Sequence, residues 1–90
     1  MAMNALKIRI MPKSPQVDLT KLENELKTCV DKLGENIHSI EKEPIAFGLV
    51  ALNMIVRWPE TKDQSVLENE IKKIKDVESA EVIDFRREFG

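Results

Sequence analysis

The chain has 90 residues, with 14 Lys and Arg against 16 Asp and Glu and a formal net charge of -2. That length supports one two-layer core and not a second, so residues 1–90 are expected to form a single domain. Without a basic excess the composition argues against a phosphate-tracking nucleic-acid binder, and a lone cysteine, Cys29, excludes an internal disulfide and favours a reducing compartment.

Prolines and glycines divide the chain into periodic segments. Leu6-Lys7-Ile8-Arg9-Ile10 alternates apolar and basic residues, the pattern of a half-buried strand. Pro12 and Pro15 then bracket a turn. Leu19, Leu22, Leu26, Val30 and Leu33 recur at helical spacing, with Cys29 on the same stripe. Asp18 is placed to cap this helix, Val17 and Leu22 to staple it, and Gly34 to end it in the left-handed conformation. Asn36 to Glu43 is a less regular strand, because Ile37 and Ile40 fall out of the two-residue period unless a bulge or a late start reconciles them.

From Leu49 to Trp58 the even positions are all apolar and the odd ones, Ala51, Asn53, Ile55 and Arg57, are mixed. One face of this strand is expected under helices and the other only partly covered. After Pro59, Thr61 and Gln64 have capping-box spacing. Val66, Leu67, Ile71 and Ile74 make a second amphipathic helix ending near Asp76. A final strand, about Ser79 to Arg87, carries Val82, Ile83 and Phe85.

Strand, helix, strand, strand, helix, strand with right-handed crossovers is the ferredoxin-like split arrangement of the α+β class. It predicts a four-stranded antiparallel sheet with two helices on one face and strands one and three in the centre. The turn before the third strand and the chain terminus then lie at opposite ends of the sheet.

Residues that carry chemistry are sparse. His38 is the only histidine and is expected at a solvent-facing or strand-edge position, so no metal site is expected. The glycines, Gly34, Gly48 and Gly90, form no phosphate loop, and Cys29 on an apolar stripe is a small hydrophobe. Glu23, Glu25, Glu68 and Glu70 stand among lysines as a solvated helix face. No enzyme activity and no cofactor are expected. No apolar run reaches the ~20 residues of a membrane span, and Lys7 and Arg9 break any signal-peptide core, so a soluble, cytoplasmic protein is expected.

The stretch IAFGLVAL, Ile45 to Leu52, aligns with the RNA-reading strand of an RNA-recognition motif only at Phe47, Gly48 and Val50. Leu49 and Leu52 replace aromatics on which bases would stack, so direct nucleic-acid binding is not expected. What remains is an interaction surface. Phe47 follows Pro44 in a turn, where core and partner-facing roles are equally open, and Arg86, Arg87 and Phe89 follow the last apolar strand position.

Four stretches together resemble one family. They are Ile8-x-Ile10-Met11-Pro12; Val17-Asp18-Leu19 with Leu22; Glu43-Pro44-Ile45-Ala46-Phe47-Gly48-Leu49-x-Ala51-Leu52; and Val77-Glu78-Ser79-x-Glu81-Val82 with Arg86-Arg87. The chain resembles the beta subunits of translation elongation factor one, in their archaeal form: a lone exchange domain without a long amino-terminal extension. The resemblance implies the ferredoxin-like fold and guanine-nucleotide exchange on the GTPase that carries aminoacyl-tRNA, the alpha subunit. It implies that Phe47, in the Pro-Ile-x-Phe-Gly turn, contacts that GTPase. It also implies that Arg86 or Arg87 stands where family members place a lysine beside the nucleotide's magnesium, with Glu88, Phe89 and Gly90 extending beyond. The free protein is expected to be a monomer. A ferredoxin-like regulatory module that binds a small molecule between paired domains is the alternative, and an RNA-binding domain comes third.

Overall fold

The computed structural model describes residues 3–88, so Phe89 and Gly90 lie outside the described residues. In chain order the elements are β1 (Met3–Pro12), α1 (Leu19–Lys32), β2 (Asn36–Pro44), β3 (Val50–Pro59), α2 (Gln64–Lys72) and β4 (Val77–Glu88). The sheet has the order β2-β3-β1-β4, every neighbouring pair antiparallel, which is the expected ferredoxin-like arrangement with the first and third strands central.

Alternation sets the register. Leu6, Ile8 and Ile10 of β1 and Leu52, Met54, Val56 and Trp58 of β3 are at most 1% exposed. They pair as Leu6 with Val56, Ile8 with Met54 and Ile10 with Leu52, which builds one continuous apolar face. Leu22, Leu26 and Val30 from α1 and Leu67 and Ile71 from α2 close over it. Val66, expected on the same stripe, is instead exposed, because the two helical turns of α2 seat only Leu67 and Ile71. No helix among the described residues is long and apolar enough to cross a membrane.

Both edge strands carry a bulge. In β2, Ile37 pairs with Val56 and Ser39 with Ile55, leaving His38 as the extra residue. This keeps Ile37 and Ile40 both against the core, as their odd spacing requires. In β4, Asp84 pairs with Lys7 and Val82 with Ile8, leaving Ile83 as the extra residue. The β4 bulge corrects the simple apolar reading of that strand: Val82 packs on the core, whereas Ile83 and Phe85 are 38% and 57% exposed.

The helix ends follow from local chemistry. Asp18 accepts from the N–H groups of Thr20 and Lys21, and Val17 packs on the core beside Leu22. At the other end Gly34 (φ 80) closes a Schellman motif, with its N–H donating to Asp31 O and that of Glu35 to Val30 O. For α2 the expected cap is displaced: Asp63, not Thr61, accepts from Ser65 N, which holds the Asp63 carboxyl below the usual carboxylate range. A carboxylate directly before the helix outcompetes a hydroxyl two residues further back. The helix also ends earlier than expected, at Lys72.

One lysine ties these ends together. Lys62 Nζ donates to Leu33 O and to a Glu35 carboxylate oxygen, each at 2.7 Å, and lies 5.1 Å from the Trp58 ring centroid. Trp58 Nε1 in turn donates to Lys62 O at 2.9 Å. Hydrogen bonds to charged groups are worth ~1.5–3 kcal/mol in such part-buried sites. Lys62→Met should therefore lower stability by about 2 kcal/mol, read as a lower urea midpoint at constant slope. Removing the exposed Lys73–Glu70 pair should change it by less than ~0.5 kcal/mol.

Candidate functional site

Between β2 and β3 the chain reverses in a tight turn. Leu49 N donates to Ala46 O at 3.1 Å, and Ile45 N to Leu49 O at 2.9 Å. The two residues between, Phe47 (φ 58) and Gly48 (φ 77), both have positive φ, the combination a type I′ turn requires, inside a connection that runs from Ile45 to Leu49. That conformation is free to glycine and natural to Asn or Asp. A residue with a Cβ and an aromatic ring pays roughly 1–2 kcal/mol for it.

Burial does not offset this strain. Phe47 is 96% exposed, and Ile45 beside it is 49% exposed. The β1–α1 loop stands against the turn, where a Cβ added at Gly48 would sit 3.7 Å from Pro15 Cβ. Between the two readings of Phe47 that the sequence left open, the geometry points the ring outward from the end of the sheet.

The two arginines lie at the opposite end and diverge. Arg86 pairs with Ala5, on the face away from the helices, and Arg87 pairs with Asn4 on the helix side. Arg87 forms an ion pair with Glu60 of the β3–α2 turn, a residue the sequence did not single out. Arg86 Nε lies 3.7 Å from Asp84 Oδ2. Adjacent strand residues always face opposite ways, and the bulge at Ile83 decides which arginine takes which face. Along β3 the run from Val50 to Trp58 separates the Phe47 turn from the arginine pair by roughly 27 Å, at ~3.4 Å per residue.

The open face of the sheet is polar. On its β2 edge Glu43 accepts from Asn53 Nδ2 at 2.9 Å and from Arg9 at 3.3 Å, and these contacts, the Asn53 bond first, hold its carboxyl below the usual range. On the helical side Cys29 lines a groove between α1 and α2 with Lys32 and Glu70, and burial pushes its thiol up. That leaves little thiolate to act as a nucleophile. Among the described residues no three His, Cys, Asp or Glu are grouped so as to hold a metal ion.

Comparison with known proteins gives a consistent result. Residues 5–87 match the family model described as the EF-1 guanine nucleotide exchange domain. Elongation factor 1-beta of Methanothermobacter thermautotrophicus is 42% identical over 81 residues, covering 89% of this chain and 90% of that protein. Elongation factor 1-beta of Methanobrevibacter smithii is 44% identical over 82 residues with the same coverage, and that of Pyrococcus abyssi 42% identical over 78 residues, covering 83% and 84%. Among solved structures, the ACT domain from GTP pyrophosphokinase of Chlorobium tepidum superposes with a TM-score of 0.63 at 20% identity, over 90% of this chain and 97% of that one. This last likeness shows the fold alone.

The strain at the turn is directly measurable. Phe47→Asn should stabilise the isolated domain by about 1 kcal/mol, since Asn tolerates positive φ and no packed contact is lost. Equilibrium urea unfolding checks it, and a lower midpoint would mean that the ring contributes packing to the fold.

Proposed function

The chain belongs to the family of EF-1 guanine nucleotide exchange domains and serves nucleotide exchange in translation elongation, and on that premise we propose how its two ends divide the work. Phe47 docks the elongation-factor GTPase, and Arg87 acts at that partner's nucleotide site. The carrying observation is the Phe47 turn: a nearly fully exposed aromatic ring held in a conformation unfavourable to it, which the isolated fold has no use for. Backbone strain of this kind gathers at functional positions. Family membership supports exchange over the regulatory-module and RNA-binding alternatives.

A GTPase holds GDP through backbone N–H groups, a lysine and Mg²⁺ on the phosphates, so release requires weakening those contacts. A guanidinium brought beside the metal disfavours Mg²⁺ by charge. By linkage, if the exchange factor binds the empty GTPase more tightly than the GDP-bound form, GDP affinity falls by the same factor. No bond is made or broken in this chain, and GTP rebinding expels it. Of the two arginines Arg87 is the better placed. It lies on the helix side at the end of the sheet, in an exposed ion pair to Glu60, an arrangement worth at most ~1 kcal/mol to break. Arg86 faces the open side of the sheet. A partner that meets both Phe47 and Arg87 presents two separated surfaces, which fits two domains of the GTPase.

The two ends should fail differently. Phe47→Ala should weaken complex formation by ~2 kcal/mol or more while leaving the maximal release rate intact. Arg87→Ala should dock normally but slow GDP release at saturating exchange factor about 30- to 160-fold, equivalent to ~2–3 kcal/mol of barrier, with Arg87→Lys retaining most activity. Stopped-flow release of a fluorescent GDP analogue from the cognate GTPase measures both. Maximal rates equal to wild type for Arg87→Ala and Arg86→Ala alike would place the exchange mechanism elsewhere on the docked surface.

A further inference from the structure

The chain has three phenylalanines, one tryptophan and no tyrosine. Among the described residues Trp58 is buried, whereas Phe47 is 96% and Phe85 57% exposed. A chain so poor in aromatics thus leaves a ring uncovered toward each end of its sheet. Phe85 pairs with Leu6, which is buried under the helices, so its ring lies on the helix side, where the bulge at Ile83 has placed it. Arg87 lies on that same side, opposite Asn4. Alternate residues of a strand stand roughly 7 Å apart on one face, so Phe85 and Arg87 rise from the sheet as neighbours.

An exposed ring on an edge strand can be covered by a strand added from a second copy or by a pocket on a globular partner. The backbone of β4, an edge of the sheet, disfavours the first. Val82 N–H donates to a Glu68 carboxylate oxygen at 3.2 Å and Phe85 N–H to Asp84 Oδ1 at 2.8 Å, so neither is free to bond another strand. The bulge at Ile83 interrupts the edge between them. Charged side chains and bulges are the devices by which edges resist pairing. None of them covers the ring. A blocked edge that still presents an aromatic beside an arginine suits insertion of side chains into a pocket, where these two residue types supply most of the binding energy.

We propose that Phe85 is a second docking anchor, which enters an apolar pocket on the GTPase beside the nucleotide site that Arg87 reaches. The inference rests on the exchange reading and adds a contact at the end of the sheet where that reading has only a cation. An exposed arginine alone gives little hold, because its pair with Glu60 is exchanged for a similar one on the partner. A ring beside it, burying its exposed half, supplies affinity that does not depend on the cation. Affinity and rate are then carried by different residues at this end: Phe85 holds the partner, and Arg87 acts at the nucleotide. Phe47 and Phe85 grip the GTPase from the two ends of the sheet.

The test is stopped-flow GDP release as a function of exchange-factor concentration, with photo-cross-linking beside it. Phe85→Thr, which keeps a strand-forming side chain, should raise the half-saturating concentration about tenfold or more, with the maximal rate within about threefold of wild type. Phe85→Leu should recover most of the affinity. Combining Phe85→Thr with Phe47→Ala should multiply the two losses, since residues at opposite ends of the sheet act independently. p-Benzoylphenylalanine at position 85, which retains a ring, should cross-link to the nucleotide-binding domain of the GTPase. Thermal unfolding verifies each variant, and the cross-link alone decides if Phe85→Thr does not fold. Half-saturation unchanged in folded Phe85→Thr, while Phe47→Ala raises it and Arg87→Ala slows release, would overturn the second anchor and leave the exchange reading standing. Wild-type behaviour of Phe47→Ala and Arg87→Ala as well would overturn that reading itself. Cross-links from position 85 to a second copy of this chain, or none to the GTPase, would overturn the assignment of the partner.

Discussion

The two-residue alternation of the central strands is the constraint on which the rest of the molecule depends. Leu6, Ile8 and Ile10 have one face of β1 to themselves, and Lys7 and Arg9 have the other. A slip of one residue against β3 would turn both cations under the helices and put the apolar set in water. Burial of these side chains, at ~1.5–3 kcal/mol each, makes any such slip prohibitive. The central pair is therefore rigid in register, and every adjustment the fold requires is pushed to the edges. Both edge strands make it by bulging, and β4 does so a second time, between Met11 and Pro12.

Those adjustments decide which face each of the two arginines takes. Without the bulge at Ile83, strict alternation would put Asp84 and Arg86 on the helix side with Val82, and Arg87 on the open face. The extra residue exchanges them. Arg87 then projects beside the β3–α2 turn, close to Glu60, and Arg86 takes the open face. One inserted residue on an edge strand thus decides which of two adjacent arginines lies on the helix side of the sheet and which on its open face. The central strands meanwhile act as a strut between the hairpin turn and the arginine end. A partner gripped at both ends is held at a spacing set by strand length rather than by loop flexibility.

Much of this was legible in the sequence. Helix α1 announced itself through its stripe, its Asp18 cap and Gly34, and the topology followed from element order. Ile37 and Ile40, out of step by one, called for a bulge or a late strand start, and the bulge lies at His38. The second bulge was not legible, because Val82, Ile83 and Phe85 read equally well as an unbroken strand. Only pairing with β1, a non-local fact, shows which residue is extra. The exposure of Phe47 was undetermined for a related reason: turn chemistry favours Asn before Gly, and an aromatic there signals neither core nor surface until φ is known. Glu60 and Arg87 come from separate segments, and no local spacing brings them together.

Strain at the Phe47 turn and stability at the opposite end are complementary. A domain of this size is stabilised by only ~5–10 kcal/mol, so an unfavourable φ at an exposed ring is a sizeable fraction of the whole. It is tolerated because the turn is short and its strands are held by the buried pairs of β3, while the Lys62 contacts with Leu33, Glu35 and Trp58 secure the far end. The same rigidity is what makes the ring useful. A flexible loop carrying Phe47 would have to be ordered on binding, whereas a short connection closed by two backbone hydrogen bonds has less freedom left to lose. On the docking role proposed for Phe47, the energy withheld from folding is preorganisation, and a partner pocket that accepts the ring would gain its burial without ordering the backbone that carries it.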